Sequence, residues 1–189
     1  MKLLVGLGNP GGKYEATRHN VGFWWCNELA AQLAIVFEAQ SKFFGDVSRV
    51  RMNGGDAWVL KPQTFMNESG RAVQSMCSFY GITASDILVV HDDLDLEPGV
   101  VKLKQSGGHG GHNGLRDIIQ SLGNNKEFAR LRIGIGHPGH ASQVADYVLK
   151  KASGDDQQLI TNSIDNALGY LPLVTDGQWE MAMNKLHSN

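Results

Sequence analysis

His19 and Asp92 are the pair with which this chain could move a proton. Imidazole titrates nearer neutrality than any other side chain, so His19 can take a proton from water. A carboxylate accepting its N–H would fix the tautomer and stabilise the imidazolium that forms. One histidine among seven carries little weight alone, so the setting matters. Gly6-Leu7-Gly8-Asn9-Pro10-Gly11 runs through Tyr14 into Thr17-Arg18-His19-Asn20, a stretch dense in hydrogen-bonding groups, and polar loops of this kind often hold sites. The same glycines satisfy the G-x-G-x-x-G of dinucleotide binding. However, Pro10 and Gly12 disfavour an immediate helix, and no acidic residue ends a second strand about 20 residues on. Asp92 lies in His91-Asp92-Asp93, where an apolar run stops; Asp93 and Asp95 read as solvated loop acids.

Two further stretches have binding chemistry. In Lys61-Pro62-Gln63-Thr64-Phe65-Met66-Asn67-Glu68-Ser69-Gly70, Phe65 offers a flat apolar face for a base or sugar, and Asn67 offers a donor and an acceptor. The competing reading makes Asn67 a helix N-cap with Glu68 in the first turn. Gln105 to Gly114 contains five glycines ahead of a helix near Leu115, an arrangement that exposes backbone N–H groups to an anion. Asn113 could cap that helix, and Arg116 adds charge. Lys102 and Lys104 share one strand face and Arg130 and Arg132 another; Lys102, Lys104 and Arg132 read as phosphate contacts or as a solvated surface. His91, His109 and His112 lack the ligand spacing of known metal motifs, so neither metal nor cofactor is expected.

The elements that must position these groups alternate in type. Lys2–Leu7, Val47–Met52, Ala57–Lys61, Ile87–Val90, Val100–Lys104 and Ala129–Ile133 read as strands, the second and third joined across Asn53-Gly54-Gly55-Asp56 as a hairpin. Val21, Trp25, Leu29 and Leu33, with Trp24 beside them, have helical spacing; so do segments after Gly70, around Leu115–Leu122, and at Val144–Leu149, Leu159–Leu171 and Trp179–Leu186. The pattern predicts an α/β fold: one globular domain over residues 1–189, with a central twisted mixed sheet flanked by helices.

Composition narrows the class. With 189 residues and 42% hydrophobic content the chain can bury a real core. A formal net charge of -2 excludes a globally basic nucleic-acid coat, so phosphate binding must come from a local cluster. Cys26 and Cys77 read as buried, reduced thiols. The amino terminus is too short in apolar residues for a signal peptide, and no stretch approaches a membrane span, so a cytosolic protein without a membrane partner is expected.

Taken in order, these blocks closely resemble the bacterial peptidyl-tRNA hydrolase family: Gly6 to Gly11 with Tyr14, Thr17-Arg18-His19-Asn20-Val21-Gly22, Lys61-Pro62 with Thr64 and Met66-Asn67, His91-Asp92-Asp93-Leu94-Asp95-Leu96, Gly107 to Arg116, and Arg130 to Gly136. They span Lys2 to about Leu149. The resemblance implies a cytoplasmic, monomeric, metal-independent esterase without cofactor, which frees tRNA from a peptide or N-blocked aminoacyl group. It implies His19 as catalytic base, Asp92 as its support, and Asn9 as the residue distinguishing blocked from free aminoacyl-tRNA. It likewise implies that Tyr14, Phe65, Asn67 and Asn113 line the site for the tRNA 3′ CCA end, and that Lys104 and Arg132, more weakly Lys102, clamp the 5′ phosphate of the acceptor stem. Asn27 stands where the family often has an acid, and the region after about Ser153 carries less signature. Two other readings keep part of this pattern: an RNA-binding relative without turnover, and a metallohydrolase using His91, His109 and His112.

Overall fold

A computed structural model describes residues 1–52 and 55–188. Its strands are β1 (Leu3–Gly6), β2 (Glu38–Gln40), β3 (Gly45–Met52), β4 (Gly55–Pro62), β5 (Ile87–Asp93), β6 (Val101–Lys104) and β7 (Ala129–Gly134), and its helices α1 (Val21–Leu33), α2 (Ser69–Tyr80), α3 (Asn113–Ser121), α4 (Val144–Val148), α5 (Gly154–Gly169), α6 (Leu171–Thr175) and α7 (Trp179–His187). The strands form one mixed sheet in the order β2-β3-β4-β1-β5-β7-β6. β4, β1, β5 and β7 run parallel at its centre, while β2, β3 and β6 pair antiparallel toward the edges.

Alternation along the strands gives the sheet two apolar faces. Leu4, Leu88 and Val90 pack with Val21, Trp25, Ile160 and Ile164 on the side of α1 and α5. Leu3, Val5 and Val89 pack with Val73, Met76, Leu115 and Ile118 on the side of α2 and α3. β5 is therefore buried from both sides, which is why its sequence is a continuous apolar run.

Two glycines bring α1 onto the sheet. A Cβ on Gly6 would lie 2.2 Å from the Gly22 oxygen, and one on Gly22 would lie 2.3 Å from the Leu7 nitrogen. Without side chains there, the turn that precedes α1 comes down on the carboxyl ends of β1 and β5. Gly6 and Gly8 thus serve close packing, and Phe23 fills the space beside Gly8. β4 lies on one side of β1 and β5 on the other, and crevices at the strand ends of such a switch are where open α/β sheets bind ligands.

Several elements differ from expectation. β2 is three polar residues with no alternation to reveal it. Asn53 and Gly54 of the expected hairpin turn lie outside the described residues, and Gly55 and Asp56 already belong to β4. Trp25 is fully buried, but Trp24 is half-buried with Nε1 donating to the Glu15 carbonyl at 2.6 Å, and Leu33 is exposed. The helix expected over Leu159–Leu171 breaks after Gly169, and Pro172 opens the next one. Among the described residues no helix is long and apolar enough to cross a membrane.

Candidate active site

The carboxyl end of β5 carries Asp92 to the floor of a cleft of about 800 Å3. His19 reaches it from a short 3-10 turn, Arg18–Asn20, that leads into α1. His19 Nδ1 is 2.9 Å from each carboxylate oxygen of Asp92, across 73 residues of sequence. His112 contacts the same carboxylate, its Nε2 being 2.9 Å from Oδ1. The tautomer of His112 follows from its other nitrogen: Nδ1 accepts from the backbone N–H groups of Gly114 and Leu115, so Nε2 bears the hydrogen given to Asp92. Because Asp92 occupies His19 Nδ1, the proton of neutral His19 belongs there, and Nε2 is left as the basic nitrogen.

These contacts set the charges. Burial alone would raise the pKa of Asp92, but the rings of His19 and His112, by charge and hydrogen bonding, hold it well below the usual carboxylate range. Burial lowers the pKa of His19, yet the charge and hydrogen bond of Asp92 prevail and raise it above its ordinary value. His91 is driven the other way, to about 3, by burial and then by His112. Its ring is neutral, with Nδ1 donating to the Asp92 carbonyl at 2.7 Å.

Asn9 is fixed from three directions. Its backbone N–H donates to Asn20 Oδ1 and its carbonyl accepts from Asn20 Nδ2, both at 2.9 Å. Its side-chain Oδ1 accepts the Met66 N–H at 2.8 Å, which orients Nδ2 as the remaining donor. Tyr14 and Phe65 meet edge to face with ring centroids 6.4 Å apart, and Phe65 is 53% exposed. Asn67 and Asn113 are also exposed, so their side chains stand in water.

The basic face of β6 and β7 forms another part of the wall. Lys104 and Arg132 line the same cleft as His19, and Lys102 lies opposite Arg132 in the register. Arg130 is not a surface cation: it is 2% exposed and donates to the carbonyls of Phe128, Lys126 and Gly107. Asp93, read as solvated, instead accepts from Arg132 Nε at 2.7 Å.

The caps also depart from the sequence reading. Asn67 lies in a 3-10 turn and does not cap α2, whose Gly70 N–H is taken by Asp117 of α3 at 2.7 Å. Asn113 does not cap α3; His112 does, while Asn113 Oδ1 accepts from Arg116 at 3.0 Å. His112 was visible only as a possible metal ligand. Its capping position before α3 was the available signal, although histidine is not a favoured cap. Among the described residues, the groups with metal-like spacing are His19, Asp92 and His112, not the His91, His109 and His112 set. Those atoms are already hydrogen-bonded to one another, and His109 Nδ1 accepts from Gly111 N–H. Arg18 was missed as a buried strut: Nη1 donates to the carbonyls of Tyr147, Lys150 and Lys151, tying the His19 turn to the segment around α4. Cys26 and Cys77 are buried, free thiols as expected.

Comparison with known proteins identifies the family. The peptidyl-tRNA hydrolase family matches residues 3–189. A peptidyl-tRNA hydrolase of Marinomonas sp. (strain MWYL1) is 56% identical over 187 residues, 99% of this chain and 96% of the relative. One from Saccharophagus degradans is 54% identical over 188 residues, covering 100% and 95%. A crystal structure of the peptidyl-tRNA hydrolase from Acinetobacter baumannii superposes with a TM-score of 0.94 at 47% identity, over 98% of this chain and 94% of that one. On full-length similarity of sequence and fold, this chain belongs to the peptidyl-tRNA hydrolase family.

Proposed function

We propose that this protein hydrolyses the ester joining a peptide, or an N-blocked aminoacyl group, to the 3′ end of tRNA. The carrying observation is the buried contact of 2.9 Å between His19 Nδ1 and Asp92, inside a cleft that Lys104 and Arg132 also line.

His19 Nε2 takes a proton from water as the water oxygen attacks the ester carbonyl carbon. Asp92 holds the ring in that tautomer and stabilises the imidazolium. The tetrahedral intermediate then expels the ribose oxygen, which receives the proton from His19, leaving free tRNA and a peptide acid. Of the three amides Asn9, Asn67 and Asn113, the buried and oriented Asn9 is the donor that stabilises the developing oxyanion.

Asn9 also supplies the discrimination between substrates. With Oδ1 held by Met66, it presents an N–H donor. That donor can bond the acyl carbonyl of a blocked amino group, whereas a free ammonium offers only donors in return. Tyr14 and Phe65 give the bases of the CCA end aromatic faces on which to stack. Lys104 and Arg132 take the 5′ phosphate. The protein acts as a cytoplasmic monomer, and the reaction needs no metal or cofactor.

Hydrolysis of N-acetyl-aminoacyl-tRNA, with and without chelator and beside unblocked aminoacyl-tRNA, tests this reading. The expected result is chelator-insensitive turnover of the blocked substrate in preference to the free one. Retained tRNA binding without turnover would point to an inactive RNA-binding relative; activity lost on chelation and restored by zinc would point to a metallohydrolase.

A further inference from the structure

We propose that Asp93 is a positioning residue that aims Arg132 at the 5′ phosphate of the bound tRNA. The inference rests on the phosphate-clamp reading of Lys104 and Arg132 above. Both oxygens of Asp93 are committed: Oδ2 accepts from Arg132 Nε at 2.7 Å, and Oδ1 accepts from the backbone N–H of Asp95 at 2.9 Å. The ion pair is largely withdrawn from water, with the Arg132 side chain 25% and that of Asp93 13% exposed. With Nε held, Nη1 and Nη2 of Arg132 have no hydrogen-bond partner among the described residues. A guanidinium fixed by Nε presents its two remaining nitrogens as a fork, the geometry that binds phosphate oxygens in pairs.

Only a carboxylate does both jobs. An asparagine could still accept from Asp95 through its single oxygen, but its NH2 would then face the Arg132 Nε–H, donor against donor. Lys102 lies directly opposite Arg132 across β6 and β7, and like charges so placed repel. An unheld guanidinium would therefore turn away into solvent. Deleting the Asp93 charge also removes a repulsion toward the incoming phosphate, but that carboxylate is already paired with the Arg132 guanidinium at 2.7 Å, which offsets most of its field. Loss of the aimed contact wins.

The placement has a consequence for the reaction. Asp92 and Asp93 are consecutive at the end of β5, one orienting the base and the other the phosphate ligand. A single strand end thereby fixes the span between the ester-cleaving group and the 5′ terminus of the substrate.

Steady-state kinetics of Asp93→Asn, Arg132→Ala, Arg132→Lys and the Asp93→Asn/Arg132→Ala double variant, on N-acetyl-aminoacyl-tRNA with and without its 5′ phosphate, test the proposal. Asp93→Asn should raise KM for the phosphorylated substrate roughly tenfold, the worth of one charge-assisted contact. KM should change more than kcat, the response to phosphate removal should shrink, and the double variant should be no worse than Arg132→Ala. Arg132→Lys keeps the charge but loses the fork, so it should behave like Asp93→Asn even if that variant folds poorly. If Arg132→Ala loses the phosphate response while both Asp93→Asn and Arg132→Lys keep it, the positioning role is wrong and the clamp stands. Equal losses on both substrates would make Asp93 merely structural and overturn the proposal. If Arg132→Ala itself keeps the full response to the phosphate, the clamp reading fails first.

Discussion

The candidate site has a buried floor and an exposed rim, and the two are built on opposite plans. On the floor, His19, Asp92 and Asn9 are buried and bound to protein partners, with every contact given to Asp92 and Asn9 at 3.0 Å or shorter. Of the exposed residues taken as the rim, Asn113 and Lys104 line the cleft, whereas Phe65 and Asn67 lie outside its lining. Burial strengthens the floor's electrostatics and leaves little to reorganise during the reaction. The rim faces solvent with most of its hydrogen-bonding capacity open to a ligand, Asn113 Oδ1 being engaged by Arg116. Changes to the floor should therefore act on turnover, and changes to the rim on binding.

Asp92→Asn should break the floor most severely. It removes the charge that stabilises imidazolium and can offer His19 and His112 only one oxygen, so kcat should fall by roughly 10² to 10⁴ while tRNA binding persists. The pH profile sharpens the test. The base works when neutral, so kcat/KM should rise with pH through the His19 pKa, which Asp92 holds above 6.5. In Asp92→Asn that rising limb should move to lower pH as the plateau falls; an unmoved limb would mean that another group limits the rate.

His112→Ala comes next. It withdraws one of the two imidazole donors to Asp92 and the cap of α3, so kcat should fall by about tenfold and thermal unfolding should show a cost of about 1 kcal/mol. An unchanged kcat would detach His112 from the floor. On the rim, Asn67→Ala should raise KM several-fold while shifting stability by less than about 0.5 kcal/mol. A kcat effect matching that of Asp92→Asn would move Asn67 into the chemistry and erase the contrast. Arg132→Ala should also act on binding and not on turnover, and should lower the salt slope of tRNA binding by about one.

The floor and the rim were also unequally legible in the sequence. His19 and Asp92 could be named because their residue types and flanking motifs point to proton transfer. Their contact could not be read, since it depends on Gly6 and Gly22 letting α1 settle onto β1. The alternation of Lys102, Lys104, Arg130 and Arg132 revealed a basic face, but not that Arg130 turns under the glycine loop. Asp93 looked like a loop acid because its partner lies 39 residues away. Asp117 gives no local sign that it caps α2 across 47 residues. Such long-range pairings are made by packing, to which short spacing patterns are blind. For the sheet, β5 announced itself as a buried apolar run, whereas β2, three polar residues at an edge, did not.

Single-turnover hydrolysis of N-acetyl-aminoacyl-tRNA by His19→Ala, at enzyme concentrations that saturate the tRNA, addresses the floor most directly. A folded variant that binds tRNA as the wild type does but cleaves it roughly 10² to 10⁴ times more slowly is the predicted result. Cleavage at the wild-type rate would contradict it, because the imidazole bound to Asp92 would then not be the base.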